Sequence, residues 1–382
     1  MTNLGHPVTR TPEALPPLLM TPGPTRVPER VLRAGARPMM HHRSVEFSNE
    51  LADMLERIGP VFGTRSLVLP VHTTGRGAME ATICNLFSAG DEIVVCGNGK
   101  FGMLWANLAA ACGLTVQCVS TDWGRNVDPV DVDRALSEHP QARAVALTYS
   151  DTSTGGSNDV AAIGRIAAAR GVLVLVDGVS AVGGMPFAFD EWGVDVAVTA
   201  SQKCLMSSPG LSFAAVSERA WAATSRARLP HNYWNFAETR EYIGRPRPEP
   251  PGTPPIHVVM QVTEALRMIH EEGLDEVYRR HERMASHVRQ RATELGLTLQ
   301  CPELRRFSNT VTAIAVPEAG SLKLLRDRMQ ERGILVAGGM GQYESTAFRI
   351  GHMGDIRPAD VERTLAALAD VIESTGVIAG RR

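Results

Sequence analysis

The chain has 382 residues, 44% hydrophobic and 21% charged, with 39 Lys+Arg set against 41 Asp+Glu and a formal charge of -2. That balance leaves no basic footprint for nucleic acid, and no apolar run reaches the roughly 20 residues that a membrane span requires. The length suits one large domain plus a smaller one, or two comparable ones, with ample apolar material for a core.

Residues 1–20 open the chain as an arm: MTNLGHPVTRTPEALPP has no apolar centre of the signal-peptide type. Apolar β-type runs then alternate with helical patterns. Strands are predicted at Ser66–Val71, Glu92–Cys96, Thr115–Val119, Ala144–Tyr149, Val172–Val176 and Val194–Thr199. Amphipathic stretches lie between several of them, notably Ala78–Phe87, Phe101–Ala111, Pro129–Ser137 and Val160–Arg170. Continuous apolar strands with intervening helices predict an α/β fold, its mostly parallel sheet covered on both faces. After Arg228 the texture changes. The stretch Arg245–Pro255 carries six prolines and reads as an ordered crossing segment. Helices at Ile256–Glu272 and Leu274–Leu295 follow, then strands near Val311–Val316, Ile334–Ala337 and Phe348–Gly351, a helix near Ser321–Arg332 and a final helix from Pro358. These form a smaller α+β domain. Six cysteines, at 84, 96, 112, 118, 204 and 301, include no C-x-x-C pair, which predicts free thiols in a reducing, cytoplasmic setting. His41, His42 and the other histidines show no metal spacing.

Only three of the basic residues are lysines, Lys100, Lys203 and Lys323, a bias that a GC-rich genome explains. It narrows the search for a reactive amine, because arginine stays protonated in proteins. Lys323 lies on a charged helix face and Lys100 in a glycine-bounded turn. Lys203 follows the apolar run VDVAVTASQ, at the carboxyl end of a strand, where open α/β sheets bind ligands. Burial there lowers an amine's pKa and frees it as a nucleophile. Asp177 ends the neighbouring apolar run Val172–Val176. An amine and a carboxylate at two strand ends suit pyridoxal phosphate: one forms the Schiff base, the other keeps the pyridine nitrogen protonated. Thr73-Thr74-Gly75-Arg76-Gly77 joins a strand to a helix, and such a turn offers backbone N–H groups to a phosphate. Each feature also has a plainer reading when taken alone: a surface lysine, a turn-capping aspartate, a commonplace glycine turn, and core packing for Phe101.

The ordered set TTGRGAMEA, GNGKFG, DTSTG, LVDGVSAVGG, TASQKCLMSSPGLSF and FRIGH resembles the class V aminotransferases of pyridoxal-phosphate fold type I. The likeness is greatest to the alanine–glyoxylate and serine–glyoxylate group, and it runs from MTPGPTRVPERVL to the last helix. It implies a large domain over residues 21–255 with a seven-stranded, mostly parallel sheet, and a small C-terminal domain over 256–382. It makes Lys203 the cofactor lysine and Asp177 the partner of the pyridine nitrogen. Thr74, Gly75 and Arg76 fall on the phosphate side, Phe101 and Val179 on the two ring faces, and Ser153 and Gln202 on the cofactor's polar edge. Thr253 matches a threonine that reaches the phosphate from the neighbouring subunit, which implies a homodimer with shared sites. Arg349 matches the arginine that binds the substrate α-carboxylate, a task suited to a bidentate guanidinium. Arg43 and Gly23 fall on the substrate side.

The implied activity is transfer of an amino group from a small amino acid such as alanine or serine to a 2-oxo acid such as glyoxylate or pyruvate. Several positions depart from the family pattern: Arg76 itself, the Met206-Ser207-Ser208 loop, Tyr149-Ser150-Asp151, and Pro250 in place of a tyrosine. Two alternatives follow: a lyase or decarboxylating enzyme on the same fold, and a non-catalytic cofactor-binding protein.

Overall fold

The computed structural model describes residues 16–301, 305–316 and 319–376, so most of the arm expected at residues 1–20 lies outside the described residues. The chain begins with a short strand, β1 (Leu18–Met20), and helices α1 (Glu29–Gly35) and α2 (Val45–Phe62). Strands and helices then alternate as β2 (Val68–Val71), α3 (Gly75–Leu86), β3 (Glu92–Gly97), α4 (Lys100–Ala111), β4 (Thr115–Ser120), α5 (Pro129–Glu138) and β5 (Ala142–Thr148). A small hairpin, β6 (Ser150–Asp151) and β7 (Gly156–Ser157), precedes α6 (Val160–Ala169), β8 (Leu173–Asp177), β9 (Val196–Ala200) and β10 (Ser212–Val216). Helices α7 (Glu218–Thr224), α8 (Phe236–Ile243), α9 (Ile256–Glu272) and α10 (Leu274–Glu294) follow. The chain finishes with β11 (Thr298–Leu299), β12 (Val311–Ala315), α11 (Ala319–Glu331), β13 (Ile334–Gly338), β14 (Ala347–Gly351) and α12 (Pro358–Thr375).

Seven strands make the larger sheet in the order β2-β10-β9-β8-β5-β3-β4. Every pairing is parallel except those of β10, which runs antiparallel to both β2 and β9. The central strands β8 and β9 are buried along their whole length. Covered on both faces, they read as unbroken apolar runs rather than alternating ones. Six of the seven strands correspond to the runs predicted from sequence. The seventh, β10, does not: its SFAAV is short and rich in small residues, and it is defined by its place between β2 and β9.

The second sheet has the order β1-β13-β14-β12-β11, with β1 parallel to β13 and the other pairs antiparallel. Residues 18–20, assigned by the sequence reading to the arm, are thus a strand of this sheet, Leu18 standing opposite Ile334. Its core includes Met284, Val288, Leu325, Phe348, Ile350 and Leu368, drawn from α10, α11, α12 and the sheet. The hairpin of β6 and β7 ties the two sheets together, since the Ser150 hydroxyl donates to that of Ser308 at 2.8 Å and Gly156 bridges to Phe307. The proline-rich stretch at 245–255 has no helix or strand, as its prolines require. Because β2, β3, β5, β8 and β9 run the same way, their carboxyl ends open on one edge of the large sheet.

Candidate active site

Lys203 stands at that edge. After β9 the chain turns, with the Ser201 amide donating to the Leu211 carbonyl and that of Ser207 to the Ser201 carbonyl, both at 2.9 Å. Met206 closes the turn at φ +40, its N–H donating to the Lys203 carbonyl at 2.9 Å. A methionine in the left-handed region costs on the order of 1 kcal/mol, and such strain collects at functional sites. The Lys203 amine donates to the Pro22 carbonyl. Burial pushes its pKa down to about 8; Cys204 and Asp177 pull the other way, and Arg349 adds to the lowering.

Asp177 is the last residue of the adjacent strand and is 3% exposed. One carboxylate oxygen accepts the Val179 amide at 2.9 Å, and the other accepts the Thr148 hydroxyl at 3.3 Å from the neighbouring β5. Burial raises its pKa to about 6, with the Val179 amide opposing. Arg349 enters from β14 of the second sheet and is buried. Its Nε donates to the Gly338 carbonyl at 2.7 Å, and Nη1 reaches across to the Thr152 carbonyl at 3.2 Å, so two of its five donors orient it. Burial lowers its pKa to about 10, which leaves it a cation at neutral pH.

Ser153 is fully buried, and its hydroxyl donates to Asp151 at 2.5 Å while accepting the Lys100 amide at 3.0 Å. Asp151 also accepts the amides of Phe101 and Gly102 at 3.0 and 3.1 Å, so it caps the helix that carries Phe101. The backbone comes so near that a Cβ on Gly99 would lie 2.5 Å from the carboxylate. Asp151 was noted in the sequence only as a departure from the family pattern. Its capping role was visible as an acidic side chain followed by Ser153, but its helix lies fifty residues upstream.

On the phosphate side, Thr74 is the N-cap of α3 and makes no side-chain cap bond, while Gly75 packs so tightly that a Cβ would meet Val179 at 2.5 Å. The first-turn amides of that helix have no intrahelical acceptor. Arg76 is exposed. Gln202 has a buried carboxamide oxygen without a partner. Gly23, at φ +106, lies directly on the Lys203 side chain. The structure therefore brings together Lys203, Asp177, Val179, Gly75, Gly23 and Arg349, with Phe101 and Ser153 on the adjoining turn. Two residues stand apart. Thr253 is exposed on the proline-rich segment, and Arg43 pairs with Glu249 at 2.9 Å beside that same segment.

The arrangement suits a planar ring carrying a carbonyl, a basic nitrogen and a phosphate. It supplies an amine of lowered pKa, a buried carboxylate, an anion-binding helix end and an orphaned amide oxygen. The exit of Arg349 from the opposite sheet adds an anchor for a carboxylate.

The family model described as aminotransferase class-V matches residues 18–353 of the chain. The chain is 35% identical over 365 residues to the L-aspartate–glyoxylate aminotransferase of Paracoccus denitrificans (strain Pd 1222), covering 94% of this chain and 92% of that protein. It is 38% identical over 363 residues to a protein of Synechococcus sp. (strain PCC 6716) named as the small subunit of soluble hydrogenase, covering 94% of both. Among solved structures it matches the alanine–glyoxylate aminotransferase of Nostoc sp. with a TM-score of 0.89 and 31% identity, over 96% of this chain and 98% of that one. It also matches the pyridoxamine–pyruvate aminotransferase of Mesorhizobium loti with a TM-score of 0.91 and 27% identity, over 96% of this chain and 94% of that one.

Proposed function

The chain belongs to the class-V aminotransferase family and is a pyridoxal-phosphate-dependent transaminase passing amino groups from small amino acids to 2-oxo acids; we propose that Lys203, Asp177 and Arg349 are the residues that carry this activity. The observation that supports the assignment is their convergence: a half-buried amine and a buried carboxylate at adjacent strand ends, faced by an oriented guanidinium from the second sheet.

Bound at this edge, the cofactor's pyridine ring supplies the sink for the electron pair left when an α-proton departs. Lys203 is the residue whose amine would hold the cofactor at this edge. With its pKa near 8 a workable share of the amine is neutral at physiological pH, so Nζ would be able to accept the substrate α-proton. Asp177, ionised above pH 6, would hold the cofactor's pyridine nitrogen by accepting its N–H. Arg349 offers its remaining donors to the substrate α-carboxylate. Thr74, Gly75 and Arg76 would receive the phosphate at the start of α3, with Gln202 at the cofactor's polar edge. Phe101 and Val179 enclose the ring, and Ser153, through a free lone pair, meets its polar edge. The partner's Thr253 completes the phosphate site in a homodimer, which accounts for the exposure of this threonine in a single chain. Arg43 and Gly23 line the substrate side. Alanine and serine are the proposed donors, glyoxylate and pyruvate the acceptors, and the cytoplasm the setting.

The test is a screen of amino acids for bleaching of the bound cofactor's visible absorbance. A donor should bleach it stoichiometrically, yielding its 2-oxo acid, and glyoxylate or pyruvate should restore the colour. Release of ammonia or CO2 in the absence of an acceptor would instead favour a lyase or decarboxylase.

A further inference from the structure

Residues Thr21–Arg26 carry the chain from β1 towards α1 and cross directly over Lys203. A Cβ placed on Gly23 would lie 2.5 Å from Cδ of Lys203 and 2.7 Å from both Cε and Nζ, so this strap rests on the lysine side chain itself. The Pro22 carbonyl accepts from Nζ. Thr25, buried at 5% exposure, then grips the main chain of the lysine's turn. Its amide donates to the Gln202 carbonyl at 3.1 Å, and its hydroxyl to the Lys203 carbonyl at 3.1 Å and the Gln202 carbonyl at 3.4 Å. The other side of the strap lies against the strand of Arg349: a Cβ on Gly351 would meet the Thr21 carbonyl at 2.4 Å. Arg26 fastens the far end, donating to the carbonyl and the carboxylate of Asp355, each at 3.0 Å.

We propose that Thr25 is a positioning residue for Lys203, clamping the strap so that the Pro22 carbonyl receives the amine whenever it is not joined to the cofactor. The proposal rests on the reading of Lys203 as the cofactor lysine and extends it to a residue that makes no contact with cofactor or substrate. The physical need is plain. A transaminase lysine must be released and recaptured in each cycle, and a long, flexible side chain with a strongly hydrated head swings into solvent unless something restrains it. Here a backbone acceptor and a steric cover do so together. The strap is also continuous with β1, so the sheet that carries Arg349 restrains the lysine as well.

With only three lysines in the chain, the test is direct. The full-length apoprotein is trace-labelled with acetic anhydride across about pH 6 to 11. Lys203 acetylation is read by mass spectrometry against Lys323, which is 83% exposed, as internal standard. The groups facing Lys203, namely Asp177, Cys204 and Arg349, are unchanged in every variant. In Thr25→Val the loosened strap admits water. The high-pH plateau of Lys203 labelling should rise at least about threefold, and its midpoint should move up by about one pH unit. Thr25→Ser, which keeps the donor, should match wild type. A Thr25→Val profile that matches wild type, a midpoint that falls, or a Thr25→Ser profile like that of Thr25→Val would overturn the proposal. If Thr25→Val does not fold, hydrogen exchange of the wild-type apoprotein decides. The Thr25 amide should be as protected as the strand amides of β9, and exchange at the rate of an open loop overturns the clamp. None of these readouts uses cofactor turnover, so their failure leaves the transaminase reading standing, and loss of that reading leaves them standing.

Discussion

The inner edge of the site and its outer rim are built on opposite terms. Lys203, Asp177 and Arg349 are enclosed, and burial moves each pKa toward the neutral form. Arg76 and Thr253 are exposed, and Arg43 is paired at the surface with Glu249. The inner groups are made reactive within one chain by holding charge where water is scarce. The rim residues reach their proposed roles only when a cofactor or a second copy covers them. Loss of an inner group should therefore remove chemistry, while loss of a rim group should weaken binding.

Four substitutions would break or sharpen that contrast. Lys203→Ala should lower single-turnover transamination on the order of 10⁴-fold, the upper range for loss of a positioned acid–base group; wild-type turnover in this variant would sink the assignment. Asp177→Asn keeps an acceptor for the Val179 amide but loses the charge, and should slow the same half-reaction about 10²–10³-fold. The same change should stabilise the apoprotein. Asp177 holds its proton more tightly when folded, with a pKa of about 6 against the ordinary 3.8, so ionisation is penalised in the native state. That penalty is absent below pH 3.8 and complete above pH 6. Wild-type apoprotein should thus lose roughly 3 kcal/mol across this window relative to Asp177→Asn, read from denaturant melts at pH 3.5 and pH 7. Equal differences at both pH values would count against the buried, ionised carboxylate. Arg349→Lys retains a charge but loses the fork, and should raise KM for the amino donor about tenfold to a hundredfold with a smaller change in kcat. Thr253→Ala should be mildest, weakening cofactor affinity about fivefold, the worth of one neutral hydrogen bond, without altering the apoprotein melt.

Much of the inner edge was legible in the sequence because its signals are local. Five apolar residues before Asp177 make a central strand with a carboxylate at its end, and VAVTA followed by Ser201-Gln202-Lys203 does the same for an amine. Relations between distant segments were not. Strand β10 is recognisable only from its two neighbours, and its own SFAAV carries too little periodicity. Arg43 read as a residue of the substrate side, but the charge that holds it, Glu249, lies in the proline-rich segment. Thr25 sits in a turn rich in proline and glycine, and nothing local announces that its hydroxyl bonds to the carbonyl of Lys203. Such contacts depend on which segments the fold brings side by side, information that short sequence patterns do not hold.

The pairing of β1 with β13 also bears on how the protein is made. Leu18 leaves the ribosome long before its partner Ile334. Long-range pairings of this kind form late and slow folding. A nascent chain can complete the large sheet, with Lys203 already at its edge, before the strap has anything to anchor its start. Until Ile334 has emerged the strap lacks that anchor, and the amine is held less closely than in the finished fold.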